Sequence, residues 1–210
     1  MPKILNNGYV ELVEWMGGDM AVIRNARRCW RSESKGAESD RKLIHHLLSK
    51  KHMTPFESMV FTFDVKAPLF VARQWFRHRM GGFNEESLRY CVANEDYYIP
   101  DAIQNTHQRQ MWMKENDRQF KAYQEWVAGG LPKEQARSLL PTGLYTRFYW
   151  TVNGSSLLNF LQLRLHKSAQ AEIREYADAI LTLARDVAPV SFGEWEVVEN
   201  ARSEETKHST

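Results

Sequence analysis

Arg77-His78-Arg79-Met80-Gly81-Gly82-Phe83-Asn84-Glu85-Glu86-Ser87-Leu88-Arg89-Tyr90 is the stretch on which the reading turns. Three Arg, one His, two Glu, an Asn, a Ser and a Tyr surround a Gly-Gly break, and the apolar run Ala67-Pro68-Leu69-Phe70-Val71-Ala72 leads into it. A turn that only had to be stable would not need so many hydrogen-bonding side chains. The stretch reads as a site for a polyanion and a nucleotide.

Three consecutive helical residues spread over about 200° of the helix wheel. Arg77, His78 and Arg79 therefore reach one ligand together only if the helix ends there or a second subunit approaches. Cations in a last helical turn also simply offset the helix dipole, and for the triplet taken alone that plainer role stands. An extended Glu85–Arg89 turns Glu85, Ser87 and Arg89 to one face. An acceptor, a hydroxyl and a guanidinium in a row suit a ribose hydroxyl, a phosphate and a base edge, and Arg grips phosphate with a planar fork. The plainer alternative is a surface strand with a Glu85–Arg89 pair, which is worth little. Ser87 is read as a binding hydroxyl, because nothing close in sequence looks like an activating base.

Outward from this stretch, 210 residues suggest one domain or two small ones, and 43% apolar with 12% aromatic residues suffices for a substantial core. Net charge is +2, from 28 basic and 26 acidic residues, so any positive potential is local. That balance does not advertise non-specific nucleic-acid binding. Two cysteines, Cys29 and Cys91, no signal-peptide pattern and no run of roughly 20 apolar residues point to a cytoplasmic protein off the membrane. His45 and His46 are adjacent rather than four apart, and CxxC, P-loop and GxGxxG patterns are missing, so no metal site or familiar nucleotide loop is expected.

The periodicity predicts a strand over Tyr9–Met16 and a helix capped by Asp19. A second helix is capped by Asp40, with Lys50, Lys51 and His52 in its last turn. Met59, Phe61, Phe63 and Val65 alternate on one face of a strand. Pro68 then opens a helix to about Arg79, stopped by Gly81-Gly82, and Glu85–Tyr90 is extended. Gln104–Gly129 is a long helix, Pro132–Arg137 a short one, and Leu144–Val152 a strand. Ser155 or Ser156 caps a helical run to about Asp186, with a break near His166-Lys167-Ser168. A short segment, Val190–Val198, follows, and 201–210 is a polar, flexible tail. Strands separated by helices with no βαβ fingerprint give a single α+β domain over 1–200.

Three further pieces carry polar groups. His52-Met53-Thr54-Pro55-Phe56-Glu57, taken alone, is a helix-to-strand connection. Asn153, Asn159 and Arg164 stand among Leu157, Leu158, Phe160, Leu161 and Leu163; burial alone does not call for Arg164, although an Arg stem can lie on a core with its head in water. Arg137 precedes Leu139-Leu140-Pro141 and, by itself, is a plain surface charge.

The signature resembles that of the flavin-dependent thymidylate synthases, R-H-R-x-x-S-x-N-E-x-S-x-R-Y. Eight of its nine fixed positions are matched within fourteen residues; the exception is Gly82 in place of the first Ser. The resemblance extends to Thr54-Pro55-Phe56-Glu57, to Ala67–Phe76, to Leu144-Tyr145-Thr146-Arg147-Phe148 and to Ala169-Gln170-Ala171-Glu172-Ile173. It implies an α+β fold around an antiparallel sheet, and a homotetramer with active sites between subunits. It implies conversion of dUMP to dTMP, with methylenetetrahydrofolate giving the carbon and NADPH reducing a bound FAD. By matching position, Arg77, His78, Arg79 and Glu85 contact FAD or lie beside it; Thr54, Asn153, Ser155 and Asn159 line it, and His52 is near the flavin. Gln74, Arg77, Glu85, Ser87, Leu88 and Arg89 hold dUMP, Arg137 reaches it from another chain, and Arg164 activates the pyrimidine. A guanidinium beside uracil N3 and O2 stabilises negative charge as it develops, which makes C5 nucleophilic without a cysteine. The chain also departs at Ser155, where relatives often have Arg, and at Ser168, where many have His.

Two other readings compete. Arg73, Arg77, Arg79 and Arg89 with Trp75 and Tyr90 could track a phosphate backbone as a single-stranded nucleic-acid module. A flavin protein that oxidises NADPH but has lost methyl transfer is the other.

Overall fold

Met59, Phe61, Phe63 and Val65 are all fully buried, as their alternation requires. They lead into and lie along one face of the second strand of a four-stranded antiparallel sheet, which the described residues combine with eight helices. The computed structural model describes residues 3–208. In chain order it has β1 (Tyr9–Met16), α1 (Asp19–Arg28), α2 (Ala37–Ser49), a 3-10 turn (Thr54–Ser58), β2 (Val60–Pro68), α3 (Leu69–Trp75) and β3 (Gly82–Glu85). Then come α4 (Thr106–Ala128), α5 (Lys133–Ala136), a 3-10 turn (Arg137–Leu139), β4 (Tyr145–Asn153), α6 (Gly154–Arg164), α7 (Ala171–Val187) and α8 (Pro189–His208). Sheet order is β1-β2-β4-β3. In β4, Phe148, Trp150 and Val152 are buried while Arg147, Tyr149 and Thr151 are exposed.

The chain divides into two compact units. One takes the described residues up to Val10, Asp64–Arg77 and Phe83–Tyr149; the other takes Glu11–Phe63, His78–Gly82 and the described residues from Trp150 on. The core of the first packs Phe120 and Tyr123 of α4 with Ala93, Ala136 and Leu144, and Leu88 lies against it. The second has a chain of rings: Phe61 on Phe192 at 5.9 Å, Phe63 on Trp150 at 5.8 Å, and Trp150 on Phe160 at 4.8 Å. There α8 packs on α2 and α7.

Several local expectations fail for non-local reasons. Asp19 does not cap its own helix, whose N-cap is Gly18. Its carboxylate instead accepts from Val190 N (2.9 Å), Ser191 N (2.8 Å) and Ser191 Oγ (2.6 Å), which satisfies first-turn donors of α8 that have no partner within the helix. Asp40 likewise sits inside the first turn of α2, behind Gly36, and accepts from the Arg27 guanidinium at 2.6 Å. The first helix of the signature region ends early, at Trp75, with Pro68 as its N-cap. Phe76 is held by Phe83 (4.8 Å) and Phe148 (5.0 Å), and this packing turns the chain before the cations. Gly81 is needed for close approach rather than to stop a helix: a Cβ there would lie 2.8 Å from Trp150 Nε1 and 3.0 Å from Thr151 O. Residues 201–208, expected as part of a tail, continue α8; the last two residues of that expectation, 209 and 210, lie outside the described residues.

One buried acid couples α2 to α8. Glu194 is 6% exposed and accepts from Arg41 and from His45 Nδ1 at 2.8 Å. Burial by itself raises its carboxyl pKa, but hydrogen bonds and charge from Arg41 and His45 outweigh this and hold it below the ordinary value. A depressed carboxyl contributes stability in full above the ordinary Glu range and loses it as pH falls through that range. Glu194→Gln should therefore destabilise the protein by about 1 kcal/mol at pH 7, a figure kept small because Arg41 and His45 face solvent. The difference from wild type should shrink as urea midpoints are followed down to pH 4. A difference that does not change with pH would show that charge plays no part.

Candidate active site

The signature is not helix followed by strand. Beyond Trp75 the backbone turns, with Arg77 N donating to Gln74 O at 3.3 Å, and β3 stops at Glu85. Ser87–Tyr90 forms a tight turn: Ser87 O accepts from Tyr90 N (2.9 Å) and Cys91 N (3.0 Å), and Ser87 Oγ accepts from Arg89 N (3.4 Å). The expected extended row of Glu85, Ser87 and Arg89 is thus corrected. A serine hydroxyl that bonds two residues ahead favours a turn over a strand.

In the first unit, Leu88 anchors that turn by packing on the Phe120–Tyr123 core. Arg89 points Nε at Glu134 Oε2 (3.4 Å) and lies 5.5 Å from the Tyr90 ring. Arg137 donates Nε–H to the backbone oxygen of the same Glu134 at 3.2 Å, so α5 brings Arg89 and Arg137 to one corner. Glu85 is fixed by Thr146, whose hydroxyl donates to Oε1 at 2.8 Å. Gln74 is half-buried, whereas Arg77 is exposed and makes no ion pair among the described residues. Thr146 and Glu134 were invisible in the sequence as site neighbours, since each lies over 40 residues from its partner.

In the second unit, α6 organises the polar groups. Its cap is Asn153, not Ser155 or Ser156: Asn153 Oδ1 accepts from Ser156 N at 2.8 Å. Ser155 is half-buried and Asn159 exposed on the same helix. Gly154 has no room for a side chain, because a Cβ would sit 2.6 Å from Phe56 O. Arg164, the last residue of α6, donates Nε–H to His78 Nε2 at 2.9 Å. Phe160, one turn earlier on the same face, meets the His78 ring edge-on at 4.9 Å. Burial first, then the Arg164 charge, pushes the His78 pKa down to about 4, so the imidazole is neutral at pH 7. Arg79 is exposed, with no ion pair among the described residues. His52 follows α2, its ring 6.4 Å from His46, and Thr54 opens the 3-10 turn on the surface.

A groove of about 730 Å³ between α6, α7 and α8 is lined by Leu161, Leu165, His166, Trp195 and Arg202, and contains no signature residue. Of the signature side chains, Arg77, Arg79, Glu85 and Arg89 are exposed instead. Gly82, at the one irregular signature position, has nothing within 4 Å of where a Cβ would be. Ser168 Oγ is 2.6 Å from His166 Nδ1.

Residues 11–190 match the family described as Thymidylate synthase complementing protein. The chain is 43% identical over 208 residues to a flavin-dependent thymidylate synthase of Thermosipho africanus, across 90% of this chain and 91% of the relative. The chain belongs to the flavin-dependent thymidylate synthase family. Another flavin-dependent thymidylate synthase, from Thermotoga neapolitana, is 44% identical over 196 residues, with 90% and 91% coverage. Among solved structures, the UMP/dUMP methylase PolB from Streptomyces cacaoi, bound with 5-Br dUMP, superposes with a TM-score of 0.86 at 30% identity. That superposition covers 93% of this chain and 97% of PolB, and it agrees with the α+β fold. The chain is thus an enzyme of the flavin-dependent thymidylate synthase family.

Proposed function

We propose that this enzyme methylates dUMP to dTMP, taking its carbon from methylenetetrahydrofolate and using a bound FAD that NADPH reduces. In this reading residues 1–200 act as one catalytic domain in a cytoplasmic homotetramer with active sites between subunits, free of nucleic acid and membrane. The observation that carries it is the pair formed by the half-buried Arg164 and the signature residue His78, in a chain similar to flavin-dependent thymidylate synthases over nine-tenths of its length.

The donor set fits a flavin dinucleotide. Arg77 and Arg79 are exposed cations that no carboxylate neutralises among the described residues, which suits a diphosphate. Thr54, Ser155, Asn153, Asn159 and the neutral His78 are uncharged hydroxyl, amide and imidazole groups of the kind a ring edge and ribose require. His52 is assigned near the same group. When bound, FAD supplies the hydride chemistry.

The chain's own residues bind and polarise. Gln74, Arg77, Glu85, Ser87, Leu88, Arg89 and Arg137 are assigned to dUMP. Thr146 donates a hydrogen bond to the Glu85 carboxylate, and Glu134 gathers Arg89 and Arg137. Arg164 faces uracil N3 and O2, where its fixed positive charge stabilises negative charge on the ring and makes C5 nucleophilic. Cys29 and Cys91, both exposed free thiols, take no part.

Purified protein, loaded with FAD, should show a flavin visible spectrum that changes on addition of dUMP. A protein that takes up no FAD, or whose flavin spectrum ignores saturating dUMP, would contradict the reading.

A further inference from the structure

Arg164 Nε–H can only donate, because a guanidinium has no acceptor. Its 2.9 Å contact with His78 Nε2 therefore fixes the imidazole tautomer: Nε2 carries the lone pair and Nδ1 the proton. The ring is held from a second side by Phe160, edge-on at 4.9 Å, and Phe160 and Arg164 stand one helical turn apart on α6. The imidazole is thus braced against the helix whose last residue it grips. A long Arg side chain at a helix end has several rotatable bonds and much rotamer entropy to lose. A neutral acceptor at Nε removes much of that freedom and holds one edge of the guanidinium in place.

We infer that His78 is a positioning residue: as a neutral acceptor it aims the Arg164 guanidinium at the pyrimidine, rather than serving as a cation for the flavin phosphates. This rests on the proposed role of Arg164 toward dUMP. It assigns the two ring nitrogens different duties, since Nδ1–H has no partner among the described residues and is the end that can donate to a bound group. A protonated His78 would present N–H to N–H at Arg164 and break the pair. Burial and the Arg164 charge together oppose that protonation, and Arg164 is the charged group that acts on the ring.

The test is a set of dUMP affinities measured by calorimetry on the oxidised, FAD-loaded enzyme. His78→Leu keeps bulk without an acceptor and should raise the dUMP Kd about 10-fold. His78→Gln can place its amide oxygen near the Nε2 position and should stay within about 3-fold of wild type. In an Arg164→Ala background, His78→Leu should have no further effect, because its action passes through Arg164. The ratio of wild-type to His78→Gln affinity should stay constant from pH 7.5 to 5.5, which cancels the titration of dUMP itself. Equal losses in both backgrounds, a His78→Gln variant as weak as His78→Leu, or a wild-type affinity that gains on His78→Gln as pH falls would each overturn the inference. Nitrogen-15 spectra of histidine-labelled protein should show His78 neutral with its proton on Nδ1 at pH 6; a proton on Nε2 overturns it without reference to ligand. If wild type binds no dUMP at all while that tautomer is found, it is the functional reading that fails, not the pair.

Discussion

Arg164→Ala is expected to lower dTMP formation by at least about 10³-fold while the protein keeps its flavin absorbance. The residue ends α6, is half-buried and meets the signature through His78. Burial pushes its guanidinium pKa down from the ordinary Arg value, yet an Arg side chain keeps its proton in a folded protein. A fixed cation placed before the reaction begins costs no reorganisation when charge develops on the ring, and removing one such donor removes that stabilisation outright. Because Arg164 lies at the end of the helix, truncation leaves the buried Leu157, Leu158, Phe160 and Leu161 in place, so folding should survive. Arg164→Lys keeps the charge but loses the planar fork and should recover only part of the activity. Product assays with dUMP, methylenetetrahydrofolate and NADPH decide it. If Arg164→Ala stays within a few-fold of wild type, the activation role is wrong.

Gly17→Ala is expected to cost about 3 kcal/mol of stability, the largest effect of any single methyl considered. Gly17 links β1 to α1 with φ +86, a conformation that costs a residue with a Cβ roughly 1–2 kcal/mol. The added Cβ would also lie 2.6 Å from Ser58 O and 3.2 Å from Ala21 Cβ and Met59 Cα. Backbone atoms cannot yield as a flexible side chain can, so overpacking adds about 1–3 kcal/mol. At this chain length that is a fall in Tm of roughly 6–12 °C. Gly36→Ala separates the two causes: φ is +97 there but nothing lies within 4 Å, so about 1 kcal/mol is expected. Equal losses at both positions would mean that the close approach to Ser58 contributes nothing.

What could be read in advance follows how local its cause is. The alternation of Phe61, Phe63 and Val65, the extent of β1 and the break between α6 and α7 rest on residues within a few positions, and the structure matches them. Asp19 and Asp40 looked like caps because their chemistry suits that role, but distant partners claim both: Ser191 for one, Arg27 for the other. The end of α3 was misplaced because Arg77–Arg79 suit a helix terminus by charge, whereas the Phe76–Phe83–Phe148 cluster decides it by packing. The signature named the candidate residues and divided them into a flavin side and a nucleotide side. It did not pair His78 with Arg164, which are 86 positions apart, nor Glu85 with Thr146, because no local pattern encodes such contacts.

The central claim is methyl transfer to dUMP, and product identity tests it most directly. FAD-loaded protein should be incubated with dUMP, methylenetetrahydrofolate and NADPH, and the nucleotide pool separated and weighed by mass spectrometry. The expected result is dTMP, formed only when all three substrates are present. NADPH consumed with dUMP unchanged would contradict it and leave a flavin oxidase in its place.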